Sequence, residues 1–196
     1  MLSTRFTELV GCSVPIQQAG MGSLATPALA AAVANAGGLG MVSVYGDPLP
    51  QVAERLDTVR RQTTGVFGAN LIMRFIAPAL ARATVETAAA RARVVDFFYS
   101  DPDPALVARV HAQGALACWQ VGSCAEAVAA VEAGCDFIIA QGIEAGAMSV
   151  GASACWPCSV RCWRPSPSRC SRSGCGWARA SSRPRKRWRT PRTSTR

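Results

Sequence analysis

The sequence predicts an α/β fold built from repeated strand–helix units around a parallel sheet, and three observations predict it. Short apolar runs of strand length recur roughly every 20 residues between positions 14 and 140, separated by longer stretches of helical period. Glycines stand where those helical stretches should stop, at Gly37-Gly38, Gly114 and Gly134. The last apolar run, DFIIA (136–140), delivers Gln141-Gly142 and then Glu144-Ala145-Gly146 to its carboxyl end. In parallel α/β folds that end is where ligands bind, because side chains and loop amides converge there while the strand itself stays packed.

Taken in order, VPIQQAG (14–20) reads as a first strand that runs into Gly20-Met21-Gly22. Thr26 and Pro27 then open a helix, Thr as N-cap and Pro at the first helical position, which passes through Leu29, Ala32 and Val33 to the Gly37-Gly38 stop. Leu39 to Val44 is a second strand, Pro50 to Gln62 a second helix, and Val66 to Ile72 a third strand. A helix over Ala77 to Arg91 leads to the apolar strand Val94 to Tyr99, which ends in aromatics. The Ser100-Asp101-Pro102 turn starts a helix through Leu106, Val107 and Val110, and Ala115 to Gln120 is the fifth strand. Ser123 caps a helix over Ala125 to Glu132, and Phe137 to Ala140 is the sixth strand. Six strands and five helices suit a doubly wound open sheet and a (β/α)8 barrel alike. A closed barrel takes eight such units in typically about 250 residues, and about six precede the point where the pattern ends.

The composition changes at Gly146. Residues 1–146 hold nine arginines, no lysine and all twelve acids, a net charge of −3. Residues 147–196 hold eleven arginines, the one lysine (Lys186) and no acid, a net charge of +12. The formal +9 is therefore the sum of two unlike pieces and does not describe one basic protein. Cysteines divide at the same place. Cys12, Cys118, Cys124 and Cys135 are dispersed, whereas Cys155, Cys158, Cys162, Cys170 and Cys175 crowd into the tail together with Trp156, Trp163, Trp177 and Trp188. Met1 to Cys12 contains no apolar leader core, and no run of about 18 apolar residues suggests a membrane span. With its single, scattered thiols the front part is expected in a reducing cytoplasm.

Four motifs in this order carry a resemblance: PIQQAGMG (15–22), LAAAVANAGGLGMV (29–42), FGANL (67–71) and AQGIEAG (140–146). Over residues 5–146 the chain resembles the nitronate monooxygenases, also called 2-nitropropane dioxygenases, which are FMN-dependent (β/α)8 barrels. The resemblance implies an incomplete TIM barrel of about six βα units over residues 1–146, followed by an unstructured basic tail over 147–196. It implies FMN as cofactor, with electrons passing from an alkyl nitronate or nitroalkane to the flavin and on to O₂. Position by position, it implies that Met21 lies against the flavin ring, that Asn70 hydrogen-bonds the isoalloxazine or ribityl chain, and that Gln141 and the Gly146 backbone contact the flavin from the sixth-strand loop. Such a ring needs a soft apolar face, amides that do not titrate and glycines where backbone comes close. Taken singly, Met21 also reads as core filler, Asn70 as a turn residue and Gln141 as a strand-end cap.

One position departs from the family pattern. There the loop continues Glu-Ala-Gly-Gly-His, and imidazole suits the removal of the acidic carbon proton or the facing of an anionic nitronate. Here the register gives Gly146-Ala147-Met148, and a thioether accepts no proton, so no catalytic residue is intact. The sole histidine, His111, reads as a solvent-facing helix residue. Written in GC-rich codons, Gly-Gly-His-Val-Arg-Gly becomes Gly-Ala-Met-Ser-Val-Gly, the sequence of 146–151, when one G is deleted from the glycine run. Leu, Ala and Val codons read one base out of frame give Cys, Trp, Ser and Arg, the vocabulary of the tail. Residues 147–196 are therefore expected to be an out-of-frame remnant, leaving a truncated barrel of little or no activity.

Other functions fit less of the chain. Cys155-x-x-Cys158 is a zinc-like pair, but the spacings that follow and the lack of a histidine do not complete a site, so no metal is expected. The twelve tail cations with interleaved tryptophans would hold phosphate backbones without sequence preference, so no specific nucleic acid is expected. An NADH:quinone reductase of the same fold is the alternative within the family resemblance, and a non-enzymatic basic nucleic-acid-binding protein is the alternative outside it.

Overall fold

The structure, a computed structural model, describes residues 3–141. Five parallel strands, β1 (Gly40–Val44), β2 (Phe67–Ile72), β3 (Val94–Phe98), β4 (Leu116–Val121) and β5 (Phe137–Ala140), form one sheet in the order β1-β2-β3-β4-β5. Between them run α3 (Leu49–Gln62), α4 (Pro78–Ala89), α5 (Pro104–Ala112) and α6 (Cys124–Glu132), with α1 (Arg5–Val10) and α2 (Pro27–Asn35) ahead of β1. The order settles the architecture. A doubly wound sheet reverses direction at a switch point, whereas here every strand pairs with the next in sequence, as in the wall of a barrel. The described residues are an arc of an incomplete (β/α)8 barrel.

Two apolar cores flank the sheet, as an arc of barrel requires. The outer one lies between helices and sheet and takes Val42, Leu56, Leu71, Val85, Phe97, Val107 and Trp119. The inner one takes the alternate strand residues Met41, Val94, Leu116 and Cys118 together with Val10, Cys12 and Leu39. Residues one position apart on a strand serve different cores, so neither face of the sheet is given over to solvent.

Helix α1 closes the amino-terminal end of the inner core, with Phe6 edge-on to Phe137 at 5.8 Å. Thr4 and Thr7 form a reciprocal capping box at its start, and Gly11 takes the left-handed conformation at its end (φ 90°). Arg93, just ahead of β3, donates to the Leu9, Val10 and Gly114 carbonyls and so ties this helix to the sheet. Sequence periodicity misses α1 because its six residues span less than two turns.

The expected first strand, 14–20, does not form as a strand. It makes a single parallel bridge, Gln17 to Leu39, supported by backbone bonds from Gln18 N to Leu39 O and from Leu39 N to Ile16 O, each 2.9 Å. The Gln18 side chain then takes over where a strand backbone would continue. Its Nε2 donates to Met41 O at 2.9 Å and its Oε1 accepts from Met41 N at 3.3 Å, so one amide side chain stands in for the next peptide of the ladder. This frees the backbone from Gly20 onward to turn across the carboxyl end of the sheet.

Candidate functional site

The inner face carries polar side chains only toward its carboxyl end. Ser43 on β1, Asn70 on β2 and Asp96 on β3 are successive register partners and are fully buried. Asp96 is the hub. Its Oδ2 accepts from Asn70 Nδ2 at 2.9 Å and from Gln120 Nε2, on β4, at 2.5 Å. Gln120 Oε1 in turn accepts from Gln141 Nε2, and the Gln141 backbone N–H donates to Val121 O at 2.8 Å. An unbroken chain of amides and one carboxyl thus crosses β2, β3, β4 and the end of β5. When ionised, the carboxyl accepts and does not donate, so in that form both amides turn their N–H ends to it.

Burial strips Asp96 of water and pushes its carboxyl up from the ordinary Asp value to about 7, while hydrogen bonds from Gln120, Asn70 and Cys118 pull the other way. The Cys118 thiol, beside Asp96 in register, is itself held well above its usual range, chiefly by burial and then by the Asp96 charge.

Three buried atoms of this band have no hydrogen-bond partner: Ser43 Oγ, Asn70 Oδ1 and Asp96 Oδ1. Buried polar groups are normally paired, so three orphans on neighbouring strands mark a place built to meet a ligand. Gly20 lies against Asn70, where an added Cβ would collide with Asn70 Oδ1 and Cγ. Only a residue without a side chain lets the backbone cross there.

The residues singled out from sequence are placed as follows. Asn70 is in the band, and Gln141 is joined to it through Gln120 and Asp96. Met21 follows Gly20 at the start of the 3₁₀ turn Gly22–Leu24 and is 42% exposed, which suits a group that meets a ligand better than it suits core filler. Gly146 and Met148 lie outside the described residues. His111 is exposed as expected and holds Asp136 at 2.9 Å. Sequence reasoning missed Ser43, Asp96 and Gln120. The signal available for Asp96 was a lone acid inside an apolar strand, VVDFF. Among the described residues no group of His, Cys, Asp and Glu could hold a metal ion, and no helix is long and apolar enough to cross a membrane.

A family model described as nitronate monooxygenase matches residues 3–83. A nitronate monooxygenase of Pseudomonas aeruginosa is 33% identical over 182 residues, covering 74% of this chain and 52% of its own length. The chain belongs to the nitronate monooxygenase family. The same family likeness extends to a (3aS,4S,5R,7aS)-5-hydroxy-7a-methyl-1-oxo-octahydro-1H-indene-4-carboxyl-CoA dehydrogenase of Mycobacterium tuberculosis, 35% identical over 152 residues, which cover 74% of this chain and 40% of that protein. Among solved structures, FabK from Thermotoga maritima superimposes with a TM-score of 0.67 at 30% identity over 73% of this chain and 45% of its own. A nitroalkane oxidase from Streptomyces ansochromogenes gives 0.59 at 26% identity, over 71% of this chain and 49% of its own. This nitronate monooxygenase-family chain thus spans about half the length of the relatives it matches, or less.

Proposed function

We propose that the chain serves FMN-dependent oxidoreduction in which electrons pass from an alkyl nitronate to the cofactor and on to O₂. The observation that carries this is the amide–carboxyl chain Asn70–Asp96–Gln120–Gln141 at the carboxyl end of a sheet of this family. When bound, FMN supplies the redox chemistry that no protein side chain offers. Met21 would lie on the ring, Asn70 and Gln141 would present amides to it, and the Gly146 backbone would approach it closely. Residues 1–146 would be the cofactor-binding part, and residues 147–196 an out-of-frame tail with Met148 in the histidine position.

Met148 bears on the choice of substrate. Its thioether cannot take a carbon-bound proton, so this chain would accept a nitronate, which has already lost that proton, and not the neutral nitroalkane. The test is anaerobic. Protein incubated with FMN and freed of excess is mixed with propyl-2-nitronate, with 2-nitropropane or with NADH, and the flavin absorbance is followed. For a truncated chain of little activity the expected result is slow bleaching by the nitronate alone, reversed by air. Bleaching by NADH alone would give the quinone-reductase function, and failure to retain any flavin would overturn the proposal. The tail is tested separately by sequencing the gene across the codons for Ala145 to Gly151, where an extra G would restore Gly-Gly-His.

A second function has one observation in its favour. Asp96 Oδ1, an acceptor without a donor, suits a hydroxyl-bearing substrate better than an anionic nitronate, and the Mycobacterium tuberculosis relative is named for dehydrogenating a hydroxylated ring acyl-CoA. Flavin bleaching by such a hydroxyacyl-CoA, and not by nitronate, would select it.

A further inference from the structure

We propose that Ser43 Oγ, Asn70 Oδ1 and Asp96 Oδ1 together form a hydrogen-bond-accepting subsite that takes an N–H or O–H group of a bound ligand and favours the ionised form of Asp96 as it does so. The geometry assigns the polarity. Two of the three atoms are acceptors, and the third belongs to a hydroxyl that can donate or accept. They stand on three adjacent strands at one level, Ser43 paired with Asn70 and Asn70 with Asp96, all fully buried. Asp96 Oδ2 already receives two N–H donors, which fills about half of a carboxylate's roughly four acceptor sites and leaves Oδ1 to be met. An anion placed there would meet like charge and no donor but Ser43. The ligand group is therefore neutral, of imide, amide or hydroxyl chemistry.

The proton balance follows. In the free protein the buried carboxyl is poised near neutrality and is in part protonated. A donor arriving at Oδ1 stabilises the ionised form, so the carboxyl O–H bond breaks, the proton leaves to solvent, and the ligand N–H or O–H bonds to the carboxylate without being transferred. The groups facing Asp96 leave this titration to it alone. They are Asn70 on β2 and Gln120 and Cys118 on β4, which hydrogen-bond it, with Ser43 on β1 at the same level through Asn70. Of these only Cys118 is titratable, and burial keeps its thiol neutral.

The test rests on the flavin proposal for its probe, FMN. The full chain is titrated with FMN between pH 6 and 8 by calorimetry in two buffers of different ionisation enthalpy, which reads both affinity and protons released. Wild type should bind about tenfold tighter at pH 8 than at pH 6, over and above the dependence shown by Asp96→Asn, which shares the titration of the FMN phosphate but lacks the carboxyl. Proton release in excess of Asp96→Asn should be about half a proton per FMN at pH 7 and rise as the pH falls toward 6. Equal proton release by wild type and Asp96→Asn would overturn the subsite while leaving the flavin proposal standing. Absence of FMN binding at every pH would overturn both. Should Asp96→Asn not fold, the ¹³C carboxyl resonance of Asp96 in the wild type decides: FMN at pH 6.5 should shift it to the ionised position, and an unmoved resonance overturns the subsite.

Discussion

Asp96 sits between Val95 and Phe97 in a strand whose every residue is buried, and the sequence around it prepares no charged partner. Its raised carboxyl makes a prediction about folding that needs no ligand. In the unfolded chain the group ionises near its ordinary 3.8, whereas in the fold it holds its proton to about 7. Between these values the folded state binds more protons than the unfolded one, so stability falls as pH rises through that window and levels off above it. A shift of this size corresponds to about 4 kcal/mol. Urea unfolding of wild type and Asp96→Asn from pH 4 to pH 8 should show the variant gaining on the wild type by an amount of that order. Parallel curves would mean that Asp96 is ionised in the fold throughout. That a residue so costly to bury should sit beside two further unpaired polar atoms is what separates a site from an accident of packing.

At the scale of elements, the strands were legible because each is a short apolar run with a glycine or a capping residue at a helix boundary nearby. Thr26 and Ser123 cap the helices they were expected to cap, and the predicted bounds agree with the observed ones to within two residues for α3, α4 and α6. The amino-terminal segment was not legible, for a physical reason. VPIQQAG has strand composition, but Gln18 spends its side chain on the Met41 backbone, and no periodicity distinguishes that from a sixth ladder strand. The same is true of the site. Asn70 and Gln141 were accessible through the resemblance, whereas Asp96 and Gln120 gain their meaning only when strand order puts them between those two. Gln18 therefore carries a prediction of its own. In Gln18→Leu both Met41 backbone groups would be buried without partners, which should cost about 2–4 kcal/mol. It should also loosen the Gly20–Met21 turn, so that chemical denaturation and amide exchange at Met41 report the loss together. A Gln18→Leu protein as stable as wild type, with Met41 still protected, would show that the Gln18 amide is not part of the sheet.

Across the whole molecule, support for the sheet is uneven. Strands β2, β3 and β4 each have partners on both sides, and their residues are buried apart from the end of β2, whereas β5 pairs only with β4 among the described residues and none of its residues is fully buried. The helix beside it shows the same asymmetry, with Val131 of α6 64% exposed while Leu56 of α3 and Val85 of α4 are fully covered. In a barrel wall, exposure of that kind is what a following strand–helix unit would cover. Local opening should therefore begin at the β5 side, since amide protection follows burial and the number of strand partners. Hydrogen exchange of the full chain is expected to show β2 and β3 exchanging only with global unfolding, β4 slightly faster, and Phe137–Ala140 fastest of the strands. Protection of β5 equal to that of β3 would mean that residues beyond 141 add a strand beside it. An out-of-frame tail could not do this reliably, because its sequence was never selected to alternate apolar residues at strand period. The exchange pattern at four residues of β5 would thus decide, without reference to any ligand, whether the sheet continues past Gln141 and with it whether residues 147–196 are an evolved part of the protein.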